Sequence, residues 1–435
     1  MTAIALGAIA VWPFYVRNRA DAAHVAAFPT AAPVVADYVD RDKTIAFWER
    51  AVGERHRGDM LSPGKLSAEY LQRYRERGDI GDIVRALSLA ERSYRTQPYK
   101  NAAAEVDIAA ALVALHRFKE ALTVTRHIER YDVGDPAMLV REASIDLELG
   151  RYDDAKNIID RLNRIPAADL DAFALDTLLT RYDELTGHLA RARERFERTT
   201  AYANAQYSIG AQPRAWYYFR AGELAFEAGD NDGALAAGQR ALATFPAYSE
   251  ANRLIARVAC SVHRWRECLD AAKASAQVVP YPEVLGYEAD AQRALGDVTG
   301  AAQTNDLIRT IERIGNAQHV SDRLLAIYYS EHGERLDDAY RIAKGELAVR
   351  DDIFTDDTLA WAAAMDGHWD EARTRIGPAL RFDTENALLQ YHAGIIALHF
   401  GDRPEAKRRL EKAVALNAQF HPFYADDARA QLARL

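Results

Sequence analysis

The chain has 435 residues, with 49% apolar and 27% charged side chains and a formal net charge of −9. That length allows two or three domains, and that mix excludes wholesale disorder and a multi-span membrane protein. An acidic chain without a basic block is a poor binder of phosphate backbones, so no nucleic-acid partner is expected. Two cysteines cannot build a disulfide scaffold or a four-thiolate zinc site, and 24 Gly with 14 Pro are too few for an all-β chain of tight turns.

In chain order, residues 1–35 are expected to be a hydrophobic signal or anchor segment with its linker. Thr2–Val16 is uncharged and mostly apolar, and Arg17 and Arg19 follow at once. The run is shorter than the roughly 20 residues that a spanning helix needs, and it fits the apolar centre of a signal peptide better. It has no Lys or Arg before it, which an export signal normally carries; a start placed too late would account for that. The bases behind it favour a cytoplasmic C-terminal side, and Trp12, Phe14 and Tyr15 suit an interfacial belt. The expected location is the cell envelope, exported or anchored, with a cytoplasmic protein as the alternative. Membrane contact is expected only through residues 2–16. Residues 36–64 carry Ile45, Phe47 and Trp48 and predict a capping helix.

From 65 to 420 one pattern recurs: a Gly or His, polar residues, often an aromatic, then an acidic residue and a small one. It occurs as HRFKEA at 116–121, GRYDDA at 150–155, GHWDEA at 367–372 and GDRPEA at 401–406, among others. The closing small residues are Ala86, Ala121, Ala155, Ala192, Ala234, Cys268, Ala301, Ala339, Ala372 and Ala406, so ten units recur at intervals of 33 to 42 residues. Apolar residues spaced by three and four flank each pattern, which predicts helices on both sides. The Gly suits a left-handed helix end, the following Asp or Asn starts the next helix, and Pro98, Pro246 and Pro280 stop the second helix. Residues 421–435, with acidic residues early and basic ones late, predict a closing helix.

A helical hairpin repeated at about 34 residues resembles the tetratricopeptide repeat. With Ala234 at position 20 of that pattern, Gly222 falls at 8, Ala241 at 27 and Pro246 at 32; with Ala406 at 20, Gly394 falls at 8 and Ala413 at 27. The resemblance implies an all-α, right-handed superhelical solenoid of about ten antiparallel hairpins. The pattern's Trp at position 4 is missing, and Tyr218 stands for it. Two long intervals predict an extra polar loop near Tyr202–Gln212 and an insertion around Ile314–Val320.

The resemblance also implies that first helices line a concave groove that holds a protein or extended peptide. Carried over by position, the groove candidates are Arg181, Trp216, Phe219, Glu223, Phe226, Arg253, Arg257, Asp290, Arg293, Trp361 and Tyr391. Aromatic and Arg side chains dominate binding hot spots, although rings at helical spacing serve a core more often. The Lys and Asn set of the family's carboxylate clamp is not found.

No catalytic motif of the HExxH, P-loop, CxxC or GxSxG type occurs, and the repeats leave no segment long enough for a catalytic domain. No enzyme, cofactor or metal is expected. Cys260 and Cys268 read first as buried small residues, with a disulfide open if geometry and compartment allow. His392 and His399 lack a third ligand, and His116, His263 and His368 sit at turns. The expectation is a non-catalytic interaction scaffold, or else a regulatory or assembly adaptor arm for an envelope enzyme or export complex.

Overall fold

The computed structural model describes residues 31–54, 58–317 and 323–435, and among them the regular structure is helical throughout. The expected apolar run at 2–16 lies outside the described residues, as does part of the insertion expected around 314–320. Among the described residues, no helix is long and apolar enough to cross a membrane.

Among the described residues a leading helix, α1 (Arg41–Glu54), precedes ten hairpins. They are α2 (Leu61–Arg77) with α3 (Ile80–Thr96), α4 (Ala102–Ala114) with α5 (Phe118–Glu129), α6 (Pro136–Glu148) with α7 (Tyr152–Leu162), and α8 (Ala172–Leu185) with α9 (Leu189–Asn204). Next come α10 (Ala211–Glu227) with α11 (Asn231–Thr244), α12 (Ser249–Ser261) with α13 (Trp265–Ala276), and α14 (Pro282–Ala294) with α15 (Val298–Ala317). Then α16 (Arg323–His332) pairs with α17 (Leu336–Glu346), α18 (Ile353–Met365) with α19 (Trp369–Ala379), and α20 (Ala387–His399) with α21 (Arg403–Leu416), before a single closing helix, α22 (Tyr424–Leu432). The boundaries expected at 64 and 421 shift: α2 starts ahead of residue 65, and a loop separates α21 from α22.

Local chemistry sets the ends. Asp230 caps α11 by accepting the Gly233 amide at 2.9 Å, and Asp402 caps α21 through the Glu405 amide at 3.2 Å. His116 and His263 take the left-handed turn conformation (φ 57° and 59°) that Gly fills in most other hairpins. The two long intervals mostly lengthen helices: α9 has 16 residues, α10 has 17 and α15 has 20, so the loop expected near Tyr202–Gln212 shrinks to residues 205–210.

Small residues let paired helices close. A Cβ on Gly222 would stand 2.5 Å from Leu254 Cδ2 and 3.2 Å from the Ala234 carbonyl oxygen; one on Gly394 would stand 2.8 Å from Leu410 Cγ. Ala86, Ala121, Ala155, Ala192, Ala234, Cys268, Ala339, Ala372 and Ala406 are fully buried at the facing position. Hairpins packed this closely bury an apolar strip only by stacking on their neighbours.

The chain divides into two compact units. The N-terminal unit holds the described residues up to Arg181 together with Arg195–Tyr217, and the C-terminal unit holds Tyr182–Glu194 and Tyr218–Leu435. In the N-terminal unit the residues around Ala32, ahead of a short 3-10 turn at Asp37–Asp40, run against the turn ahead of α10: the Ala32 amide donates to Asn204 O at 2.8 Å, and the fully buried Arg214 donates to Ala32 O at 2.7 Å and to Ile209 O at 2.9 Å.

The C-terminal unit meets itself. Thr384 donates to Leu185 O at 2.6 Å, Glu385 accepts the Leu189 amide at 2.8 Å, and Asn386 donates to Glu227 at 2.8 Å. Further on, Asn417 donates to Phe226 O at 2.7 Å, Asn231 bonds Gln419 at 3.1 Å, and His263 Nε2 lies 2.8 Å from Pro422 O. Gly229, at φ 77°, admits this approach because a Cβ there would sit 2.8 Å from Leu416 O.

Candidate functional site

Residues that repeat at the same register on successive first helices converge in the C-terminal unit. Arg220 of α10 donates to Glu184 of α8 and, at 3.1 Å, to Glu223 of its own helix. Arg253 of α12 reaches Glu250 at 2.8 Å and Glu283 of α14 at 3.0 Å, and lies 3.5 Å from Glu223. Arg257 donates to Glu227 at 2.9 Å and covers the Phe226 ring at 4.4 Å. All of these side chains are buried except Glu283, which is half-buried. Burial pulls the Arg253 pKa down, but Glu250, Glu283 and Glu223 outweigh it and the guanidinium stays firmly protonated. Burial pushes the Glu227 and Glu250 carboxyls up despite their Arg partners.

The groove expected to be open is therefore filled with paired charge. Glu223, Arg253 and Arg257 belong to the ladder just described. Phe219 is fully buried, edge-on to Tyr248 at 6.3 Å and 5.6 Å from the Arg253 guanidinium; Phe226 is equally enclosed. Asp290 is buried between Arg293 at 2.6 Å and His332 Nε2 at 3.1 Å, while Arg293 itself is 39% exposed. Trp361 stacks on His392 at 4.2 Å, and Tyr391 stacks on Tyr424 at 4.7 Å while donating to Asp427 at 2.8 Å. In the N-terminal unit, Arg181 is buried 3.6 Å from Glu148, and Trp216 lies edge-on to Phe196 at 5.8 Å. For Arg181, Glu223, Arg253, Arg257 and Trp361 the physical reason is the same: neighbouring first helices sit close enough that their groove-facing side chains satisfy one another.

Sequence reading missed the carboxylate–histidine pairs. His392 Nδ1 donates to Asp357 at 3.0 Å, His332 pairs with Asp290, and His421 Nε2 lies 3.5 Å from Glu331. Burial pulls the His332 pKa down, but its bonds to Asp290 win and the net shift is upward. Spacing held a signal for some pairs: His392 follows Asp357 by 35 residues, and Arg257 follows Glu227 by 30, both near one repeat. His399 stacks on Trp369 at 3.6 Å, and no group of three His, Cys, Asp or Glu among the described residues could hold a metal. Cys260 and Cys268 form a disulfide across one hairpin, with Cα atoms 5.1 Å apart.

One cavity opens in this ladder. It has a volume of about 50 Å³ and lies between α12, α14, α16, α18, α20 and the loop before α22. Arg257, Glu283, Trp361 and His392 line it, and Leu324, Ile327 and Leu388 border it half-buried. His392 Nε2 and Ser261 Oγ are buried there without a hydrogen-bond partner among the described residues. The arrangement suits recognition of a polar group through fixed donors and acceptors beside apolar walls.

No family model matches the chain, and no curated protein matches it. Among solved structures, it is similar to the Cut9–Hcn1 hetero-tetramer of the APC/C, with 12% identity over 91% of this chain and 93% of that one and a TM-score of 0.33. Yeast Tom70 gives 12% identity over the same shares and a TM-score of 0.34. A tetratricopeptide repeat protein from Parabacteroides merdae gives 17% identity over 60% of this chain and 98% of that one, with a TM-score of 0.33. Likeness at this level carries no argument about function, and the fold rests on the chain's own hairpins. By period, small-residue register and hairpin packing, the described residues form an all-α array of helical hairpins that resembles tetratricopeptide repeats.

Proposed function

We propose that this protein is a non-catalytic interaction scaffold that binds a partner protein or an extended peptide on the first-helix face of its C-terminal unit. The observation that carries the reading is the cavity among five successive first helices, where fixed polar groups of Arg257, Glu283 and His392 stand beside the half-buried Leu324, Ile327 and Leu388. A rigid array presents such groups with little ordering cost on its own side. The Trp and Arg residues expected to contact a ligand act here mainly by holding that face in shape.

A second reading, an adaptor arm for a cell-envelope enzyme or export complex, is favoured by the Cys260–Cys268 disulfide. Disulfides persist in oxidising compartments, which supports an exported or envelope-facing array. Cell fractionation with thiol labelling of the native protein tests the location: labelled, reduced cysteines in a cytosolic fraction argue against it.

The binding reading is tested by crosslinking in the protein's own cell with the wild type and with Ile327→Glu and Leu388→Glu, which charge the cavity border without entering a hairpin core. Partners lost from both variants while their helical content is kept support the assignment. Identical partners on all three proteins place binding elsewhere.

A further inference from the structure

The scaffold reading leaves open what occupies the first-helix face at rest. We propose that Asn417–Pro422 is an internal ligand of that face, and that the partner is an extended peptide of the same chemistry that displaces it.

The holds on this loop are those of peptide recognition. His263 Nε2 bonds the Pro422 carbonyl at 2.8 Å, Asn417 Nδ2 bonds the Phe226 carbonyl at 2.7 Å, and the side-chain amides of Asn231 and Gln419 meet at 3.1 Å. Phe420 is buried against Tyr391 at 5.8 Å, and His421 stacks on Tyr424 at 4.3 Å. The loop thus offers one backbone carbonyl, two side-chain amides, one buried aromatic ring and a proline. These define the partner: an extended segment with an aromatic anchor flanked by amide-bearing and proline residues.

Position in the chain makes displacement inexpensive. Asn417 is the extended residue at which α21 stops (φ −151°, ψ 111°), and the loop follows the last hairpin, so swinging it out leaves all ten hairpins paired and disturbs only the seat of α22 on α20 and α21. The loop also leaves work undone. Phe420, His421 and Pro422 line the cavity, yet His392 Nε2 and Ser261 Oγ within it have no hydrogen-bond partner among the described residues. Buried polar groups without partners are unfavourable, and a longer or better-fitted segment gains by satisfying them. An attached loop competes at an effective concentration of order millimolar, so the resting protein resists weak ligands and yields to strong ones.

The test uses the full chain and a fluorescent peptide with the sequence of residues 416–424. Asn417→Ala deletes one hold from the loop and leaves the face itself intact. Gln419→Ala removes an exposed hold and keeps the comparison available if the buried change impairs folding. Wild type is expected to bind the peptide at least about tenfold more weakly than the variants, because the intact loop competes. Hydrogen exchange at 417–424 is expected to be faster in the variants. Variants that keep native helical signal and cooperative melting, yet bind the peptide no tighter than wild type, overturn the proposal. If such variants still crosslink cellular partners as wild type does, the internal ligand falls while the scaffold reading stands.

Discussion

Arg253 and Glu283 lie 3.0 Å apart on successive first helices, 30 residues apart in sequence, the guanidinium buried and the carboxylate half-buried. The pair joins neighbouring hairpins through a contact that neither hairpin makes alone. Glu250 and Glu223 share the same guanidinium, so Arg253 carries more negative charge than it can be removed from without consequence.

Arg253→Met is therefore expected to lower the stability of the C-terminal unit by about 3–5 kcal/mol, the cost of leaving buried carboxylates unpaired. Urea unfolding measures it. Adding Glu250→Gln to the variant should recover part of the loss; a single variant as stable as wild type would remove the ladder from the account of hairpin stacking.

Ala234 and Ala406 are fully buried where paired helices close. Leu at either position should overpack its hairpin and cost about 1–3 kcal/mol. An unchanged melting temperature for Ala234→Leu and Ala406→Leu would contradict the close pairing that defines the repeat.

Asp146 in the N-terminal unit is fully buried, and neither carboxylate oxygen has a hydrogen-bond partner among the described residues. Burial pushes its pKa up to about 6, against the pull of Arg126 at 4.0 Å and Arg151 at 3.9 Å. Between about pH 4 and pH 6 the folded state then holds a proton that the unfolded chain, with an Asp pKa of about 3.9, has released. This group's stabilisation is full below about pH 4 and is lost as pH rises through about 6. Asp146→Asn should accordingly gain about 1–2 kcal/mol relative to wild type between pH 4 and pH 7.5, read from urea midpoints at both values. A wild-type-to-variant difference that does not change with pH would disprove the assignment.

The Cys260–Cys268 disulfide closes a short loop, so its loss should cost about 2–3 kcal/mol by chain entropy. Dithiothreitol should lower the unfolding midpoint of wild type and leave a Cys260→Ala, Cys268→Ala double variant unmoved. Equal sensitivity of the two proteins would show that the bridge does not stabilise the hairpin.

What the sequence determined was the repeat. Closing small residues at Ala234 and Ala406, partnered by Gly222 and Gly394, mark where two helices touch, and the turn residues between them mark where each helix ends. These are local requirements on backbone approach and capping, so spacing alone exposes them. The fate of the groove was decided at longer range. Whether Phe219 or Trp361 faces a ligand or a neighbour depends on how tightly one first helix sits on the next. Whether Asn417 and Pro422 cap that face depends on the C-terminal unit meeting itself 159 to 191 residues away along the chain. Such contacts follow from many small rotations between hairpins added together, and no single repeat encodes their sum. The Cys260–Cys268 bridge was legible as a possibility and became a fact only when the hairpin brought the two Cα atoms within 5.1 Å.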